Sequence, residues 1–155
     1  MSKELPDDEY WMQQALLLAQ KAEAQGEVPV GAVVVRQGRI IGEGWNQVIS
    51  LNDPSAHAEV LALRAAAKNE NNYRLPGSEL FVTIEPCTMC FGTLVHARIQ
   101  RVVYGAKEPR AGMLDSNVQI SELDIYNHKL QWQGGILEQA CSDVISQFFR
   151  KKREP

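Results

Sequence analysis

A chain of 155 residues, 45% of them apolar and with a net charge of −3, is the size of one ordinary domain with material for a sizeable core. That charge excludes a generally basic nucleic-acid coat, so any grip on RNA must come from a local positive cluster. No apolar run reaches the roughly 18 to 20 residues that cross a bilayer, and no low-complexity tract argues for disorder. The first residues, Met1-Ser2-Lys3-Glu4-Leu5-Pro6-Asp7-Asp8-Glu9, are polar and acidic and lack the apolar core of a leader. A soluble, intracellular and cytoplasmic protein is expected.

Asp7 and Asp8 are caps for a first helix running to about Ala24, with Trp11, Ala15, Leu18, Ala19 and Ala22 at helical spacing and Met12 and Leu16 widening the stripe. Gln25-Gly26-Glu27 ends it. Val28 to Val35 is almost wholly apolar and rich in β-branched residues, which predicts a strand covered on both faces, with Pro29 at its start or at an edge. Gln37-Gly38 turns the chain and Arg39 to Trp45 returns as the hairpin partner. Asn46 to Ser55 is a polar loop containing Asn52-Asp53-Pro54-Ser55. A second helix is predicted from about Ala56 to Lys68, then a polar loop from Asn69 to Pro76. Glu79 to Ile84 reads as a third strand, and Pro86 suits the first position of a helix through about Ala97. Arg101 to Ala106 is a fourth strand, and Lys107 to Met113 a loop. The stretch to His128 is weakly patterned, and Lys129 to Trp132 is a fifth strand ended by Gly134-Gly135. A last helix from Leu137 to about Lys152 carries Leu137, Cys141, Val144, Ile145, Phe148 and Phe149 and finishes in Arg150-Lys151-Lys152-Arg153. Strands interleaved with helices indicate an α/β sandwich, and no internal repeat or long linker divides residues 1–155 into domains.

Two short runs carry the chemistry: Ala56-His57-Ala58-Glu59, and Glu85-Pro86-Cys87-Thr88-Met89-Cys90. One imidazole and two thiols three residues apart give zinc three N/S ligands and leave the fourth tetrahedral position for water, as catalytic sites do. A nearby glutamate is what such a site needs to move protons. Both runs fall where a helix is predicted to begin. Residues two apart on a regular helix point about 200° away from each other. His57 and Glu59 therefore converge only if His57 lies at the very first turn, with Ser55 or Ala56 as cap. Cys87 and Cys90 face the same side of their own first turn, where a helix N-terminus favours the thiolate that zinc requires. The competing readings are a four-ligand structural zinc or a redox Cys-x-x-Cys pair. His96, His128 and Cys141 show no evident pairing with the first three ligands, and a redox pair leaves His57 and Glu59 unexplained. Cys141 reads as an inert core thiol, His96 as structural, and His128 stays undecided.

His-x-Glu followed by Pro-Cys-x-x-Cys is the pattern of zinc-dependent nucleobase deaminases. The flanking runs are more specific: Glu9-Tyr10-Trp11-Met12, Glu27 to Val33, Gly42-Glu43-Gly44-Trp45-Asn46, Tyr73-Arg74-Leu75, Arg101-Val102-Val103 with Gly105-Ala106, Asn127-His128, and Phe148-Phe149-Arg150. Over nearly its whole length the chain resembles the bacterial tRNA-specific adenosine deaminases of the cytidine deaminase-like family. The resemblance implies a three-layer α/β/α sandwich around a central mixed five-stranded sheet. It also implies a homodimeric, zinc-dependent hydrolase that converts adenosine to inosine at the wobble position of a tRNA anticodon, chiefly in arginine tRNA. It assigns zinc to His57, Cys87 and Cys90 and the proton shuttle to Glu59. Base contacts fall to Asn46, to Val30 as part of an apolar floor, and to the backbone of Ala58. The anticodon loop falls to Lys107 and Glu108 and to the last helix at Phe149, Arg150 and Arg153. Two places depart from the family's form: Glu108 stands for a shorter aspartate, and Gln47-Val48-Ile49-Ser50 is divergent.

Two other functions compete. A deaminase of free bases or nucleosides would share the metal motif but would have no use for the basic C-terminal helix. A zinc-stabilised RNA-binding module would need no acid/base residue, so Glu59 separates it from an enzyme.

Overall fold

Asp7, in extended conformation, accepts a hydrogen bond on its carboxylate from the Tyr10 N–H at 3.0 Å and starts helix α1 (Asp8–Ala24). The computed structural model describes residues 6–153; the polar run expected to lack a leader core lies in part outside them, in residues 1–5. Trp11, Met12, Ala15, Leu18, Ala19 and Ala22 are all buried, as their spacing predicts, and Leu16 packs at the edge of that core.

Strand β1 (Gly31–Arg36) follows, then β2 (Arg39–Trp45), joined by a tight turn with positive φ at Gln37 and Gly38. β1 begins three residues later than its apolar run, because Val30 N–H turns back to the Val28 carbonyl at 2.9 Å and Pro29 has no N–H to give a ladder. Its side chains alternate between two cores: Val33 and Val35 pack toward α1, and Ala32 and Val34 toward helix α2 (Ala58–Glu70). Strand β3 (Glu79–Ile84) pairs antiparallel with β1, and β4 (Arg101–Ala106) parallel with β3. Short β5 (Gln131–Gln133) pairs parallel with β4 and starts two residues later than expected. The order β2-β1-β3-β4-β5 makes the mixed five-stranded sheet of a three-layer α/β/α sandwich. Helix α3 (Thr88–His96) sits with α2 on one face, and α4 (Glu138–Arg153) with α1 on the other.

Three details place the site. Gly42 and Gly44 let α2 lie directly on β2: a Cβ at Gly42 would stand 2.6 Å from Ala66 N, and one at Gly44 would stand 3.0 Å from the Leu61 carbonyl carbon. α2 starts two residues later than predicted, so that His57 is itself the cap residue rather than Ser55 or Ala56. α3 likewise starts at Thr88, with Cys87 as cap and Pro86 outside the helix rather than at its first position. Among the described residues, no helix is long and apolar enough to cross a membrane.

Candidate active site

His57 and Cys87 occupy equivalent positions. Each is the extended residue before a helix (φ −74°, ψ 153° and φ −83°, ψ 179°), and neither side chain caps its own helix. Freed from capping, both side chains turn toward the gap between the two N-termini, and Cys90 joins them from the first turn of α3. The His57 Nδ1 atom lies 3.7 Å from Cys87 Sγ and 3.5 Å from Cys90 Sγ, and all three donor atoms lie within 4.8 Å of one another. Tetrahedral zinc with ordinary Zn–S and Zn–N bonds needs N···S edges of about 3.5 Å. The donor set therefore fits zinc in type, number and spacing.

The electrostatics agree. Cys87 is drawn down to about 4 by the hydrogen bond from the Cys90 thiol and then by that from the imidazole. Cys90 is pushed up by sharing that proton and by burial, and His57 is raised by its hydrogen bond to Cys87. A cation bound by these donors would displace the protons they otherwise carry. Both helix N-termini add positive potential that favours thiolate.

Glu59, the second residue of α2, is 3% exposed and lines the cleft beside His57 and Cys87. Burial pushes its pKa above the ordinary carboxylate value. A buried carboxyl beside a metal site is placed to take and return protons. The cleft has a volume of about 270 Å³; Val28, Val30, Val48 and Ile84 form its apolar part, and Asn46, Glu108 and Ala111 also line it. Asn46 Oδ1 accepts the Ala58 N–H at 3.0 Å, supplying the cap that His57 does not. That bond fixes the amide's orientation and leaves Asn46 Nδ2 as its free donor. Ala58 is fully buried and its N–H is engaged by Asn46.

The expected RNA-contact residues divide. Glu108, Phe149, Arg150 and Arg153 share a groove of about 610 Å³ with Arg110, Ile145 and Ser146, and Glu108 also lines the cleft, so the two hollows adjoin. Lys107 lies apart from both: it is ion-paired with Asp115 at 3.2 Å and borders a separate hollow with Glu138 and Ser142. Cys141 is buried with its thiol pushed up to about 12 by burial, as an inert core thiol should be. His96 is exposed at the end of α3, and His128 Nε2 lies 2.8 Å from the Ile99 carbonyl. Val28, Val48, Ile84 and Ala111 were not foreseen as lining residues. Val28 and Ile84 flank motif residues, but only the fold brings Val48 and Ala111 to the cleft.

The family model for the cytidine and deoxycytidylate deaminase zinc-binding region matches residues 5–106. The tRNA-specific adenosine deaminase of Haemophilus influenzae is 52% identical over 148 residues, covering 95% of this chain and 86% of that protein. Its counterpart from Buchnera aphidicola is 45% identical, covering 94% and 96%, and that from Streptococcus pyogenes serotype M1 is 42% identical, covering 99% and 90%. A chain solved in a study of A-to-I editing by tRNA:A34 deaminases at the wobble position of transfer RNA superposes with a TM-score of 0.85. It is 38% identical over 87% of this chain and 98% of that one. The guanine deaminase of Nitrosomonas europaea, 24% identical with a TM-score of 0.77 over 94% and 86%, shares the fold.

Proposed function

The chain belongs to the tRNA-specific adenosine deaminases, within the zinc-binding cytidine and deoxycytidylate deaminase family, and from that premise we propose that it deaminates adenosine to inosine at the wobble position of a tRNA anticodon, chiefly in arginine tRNA. The observation that carries this reading is the meeting of three zinc-type donors and a buried, upward-tuned glutamate in one cleft that opens onto a basic groove. His57, Cys87 and Cys90 would hold zinc, which would supply Lewis acidity and acidify water. The Glu59 carboxylate would accept a proton from water as the water oxygen bonds to the amine-bearing ring carbon, and would deliver protons to the purine ring nitrogen and to the amine, whose C–N bond then breaks to release ammonia. Asn46 Nδ2 donates to an acceptor on the purine edge, and Val30 with Val28 and Ile84 packs its face and excludes bulk water. Ala58 contributes by orienting Asn46.

The extruded base occupies the cleft while its flanking phosphates reach Arg150 and Arg153, with Phe149, 43% exposed, available for stacking. Lys107, paired with Asp115 and set apart from both hollows, adds positive charge next to Glu108 in the chain. The protein works as a cytoplasmic homodimer built from single-domain subunits. Its second copy covers the apolar groove on the outer side of α2 and α3, where Tyr73 and Met89 are exposed beside Val60 and Leu63. The test is ammonia release from a zinc-loaded preparation offered an arginine tRNA anticodon stem-loop, free guanine or cytidine. Turnover of the stem-loop alone supports the reading, and turnover of a free base or nucleoside in preference to it overturns it.

A further inference from the structure

Glu85 lines the cleft two residues before a metal ligand and is 2% exposed, yet none of the chemistry above uses it. Its oxygens are fully engaged. Oε1 accepts the Glu108 N–H at 3.1 Å and the Ser116 hydroxyl; Oε2 accepts the N–H groups of Leu114, Asp115 and Ser116 at 3.0, 2.7 and 2.9 Å. A carboxylate offers about four lone-pair sites, so five donors leave it no capacity to ligate a metal or to shuttle a proton.

All five donors come from one stretch, 108–116, which contains no helix or strand. Two further bonds tighten it: Met113 N–H to the Pro86 carbonyl at 3.0 Å, and Gly112 N–H to the Glu108 carbonyl at 2.8 Å. Gly112 is required by the same arrangement, since a Cβ there would run into the Glu85 carboxylate and come within 2.6 Å of the Glu108 carbonyl oxygen. The stretch presents Glu108 and Ala111 to the cleft, and Glu108 and Arg110 to the groove along α4. One buried anion therefore holds the wall that separates the two hollows.

We propose that Glu85 is a positioning residue that fixes the 108–116 loop as the wall between the cleft and the α4 groove, and so sets where the nucleotides flanking the reacting base lie. This rests on the reading above that these hollows hold an anticodon loop. A carboxylate suits the task because converging N–H groups form a nest for an anion. Glutamine would keep the shape but turn an NH2 toward those same donors.

The experiment compares zinc-loaded wild type with Glu85→Gln and Ser116→Ala. Its readouts are zinc content, amide hydrogen exchange, and steady-state kinetics on the stem-loop. For Glu85→Gln, exchange at Leu114, Asp115 and Ser116 rises about tenfold or more. KM for the stem-loop rises about tenfold while kcat stays within about threefold of wild type. Ser116→Ala moves both in the same direction by a smaller factor, which decides the matter if Glu85→Gln does not fold. Unchanged exchange in both variants overturns the tether, and faster exchange at an unchanged KM overturns the positioning. Lost zinc with a fall in kcat at constant KM would make Glu85 a support of the metal centre and overturn the proposal. A wild type that forms no inosine would defeat the RNA reading instead, while the exchange data would still judge the tether.

Discussion

Three buried glutamates illustrate how neighbours decide what a carboxyl group does. Glu59 is buried and its pKa is raised, which leaves it ready to take a proton. Glu27 and Glu85 are also buried, and burial alone would push both up, but hydrogen bonds outweigh it and hold both below the ordinary value. Glu27 accepts from Ser50 N–H and hydroxyl at 2.7 and 2.8 Å and from Ile49 N–H at 3.2 Å, which pins the loop that carries Val48 to the cleft. Its pKa lies below the ordinary carboxylate value in the folded chain, so the unfolded chain binds the proton more readily. The stabilisation is complete above the unfolded value and is lost as pH falls through the folded one. Glu27→Gln should therefore cost about 2 kcal/mol at neutral pH. Denaturant titrations across pH should show that gap closing only below the ordinary carboxylate range. His57, Cys87, Cys90 and Glu59 were legible as a group because ligand type and spacing reflect a metal's fixed geometry. The tethering role of Glu85 was not, since nothing near it in sequence announces five donors more than twenty positions away.

At the scale of elements, the helices and strands with strong periodicity were legible: β3 and β4 fall on their predicted bounds, and α1 carries its predicted cap. The shifts in α2 and α3 share one cause. A ligand that must face a metal serves best just before the helix, where the backbone is extended, so His57 and Cys87 become cap residues and the helices start after them. Sequence periodicity does not reveal that. The closeness of α2 to β2 was equally hidden, because it depends on what Gly42 and Gly44 omit. A methyl group at Gly44 would push α2, which carries Glu59 and has His57 as its cap residue, off the sheet. Gly44→Ala should lose about 2 kcal/mol or more of stability, read from the denaturant midpoint. It should also lower zinc affinity, measured by competition with a chelating dye. Wild-type stability and zinc affinity together would show that α2 is not held by this contact.

Across the whole molecule, a net charge of −3 coexists with a last helix ending in Arg150-Lys151-Lys152-Arg153. Composition foretold that any RNA contact must be local, and the structure sets Arg150 and Arg153 beside the groove that adjoins the cleft. Lys151 leans instead to Glu23 at 3.8 Å, and Lys152 lies over the Phe148 ring. Replacing Arg150 and Arg153 together by alanine should weaken stem-loop binding by about tenfold at moderate salt and flatten the salt dependence of log K by about two phosphate contacts. An unchanged salt slope in fluorescence anisotropy would place the RNA elsewhere. On the proposed function, this cleft makes inosine from the wobble adenosine with Glu59 moving the protons. The most direct test is to map inosine in an arginine tRNA anticodon stem-loop after incubation with zinc-loaded protein, beside a Glu59→Ala variant of equal zinc content. Inosine is expected at the wobble position alone, formed at least about a hundredfold more slowly by the variant. No inosine from folded, zinc-loaded protein, or equal inosine from the variant, would contradict it.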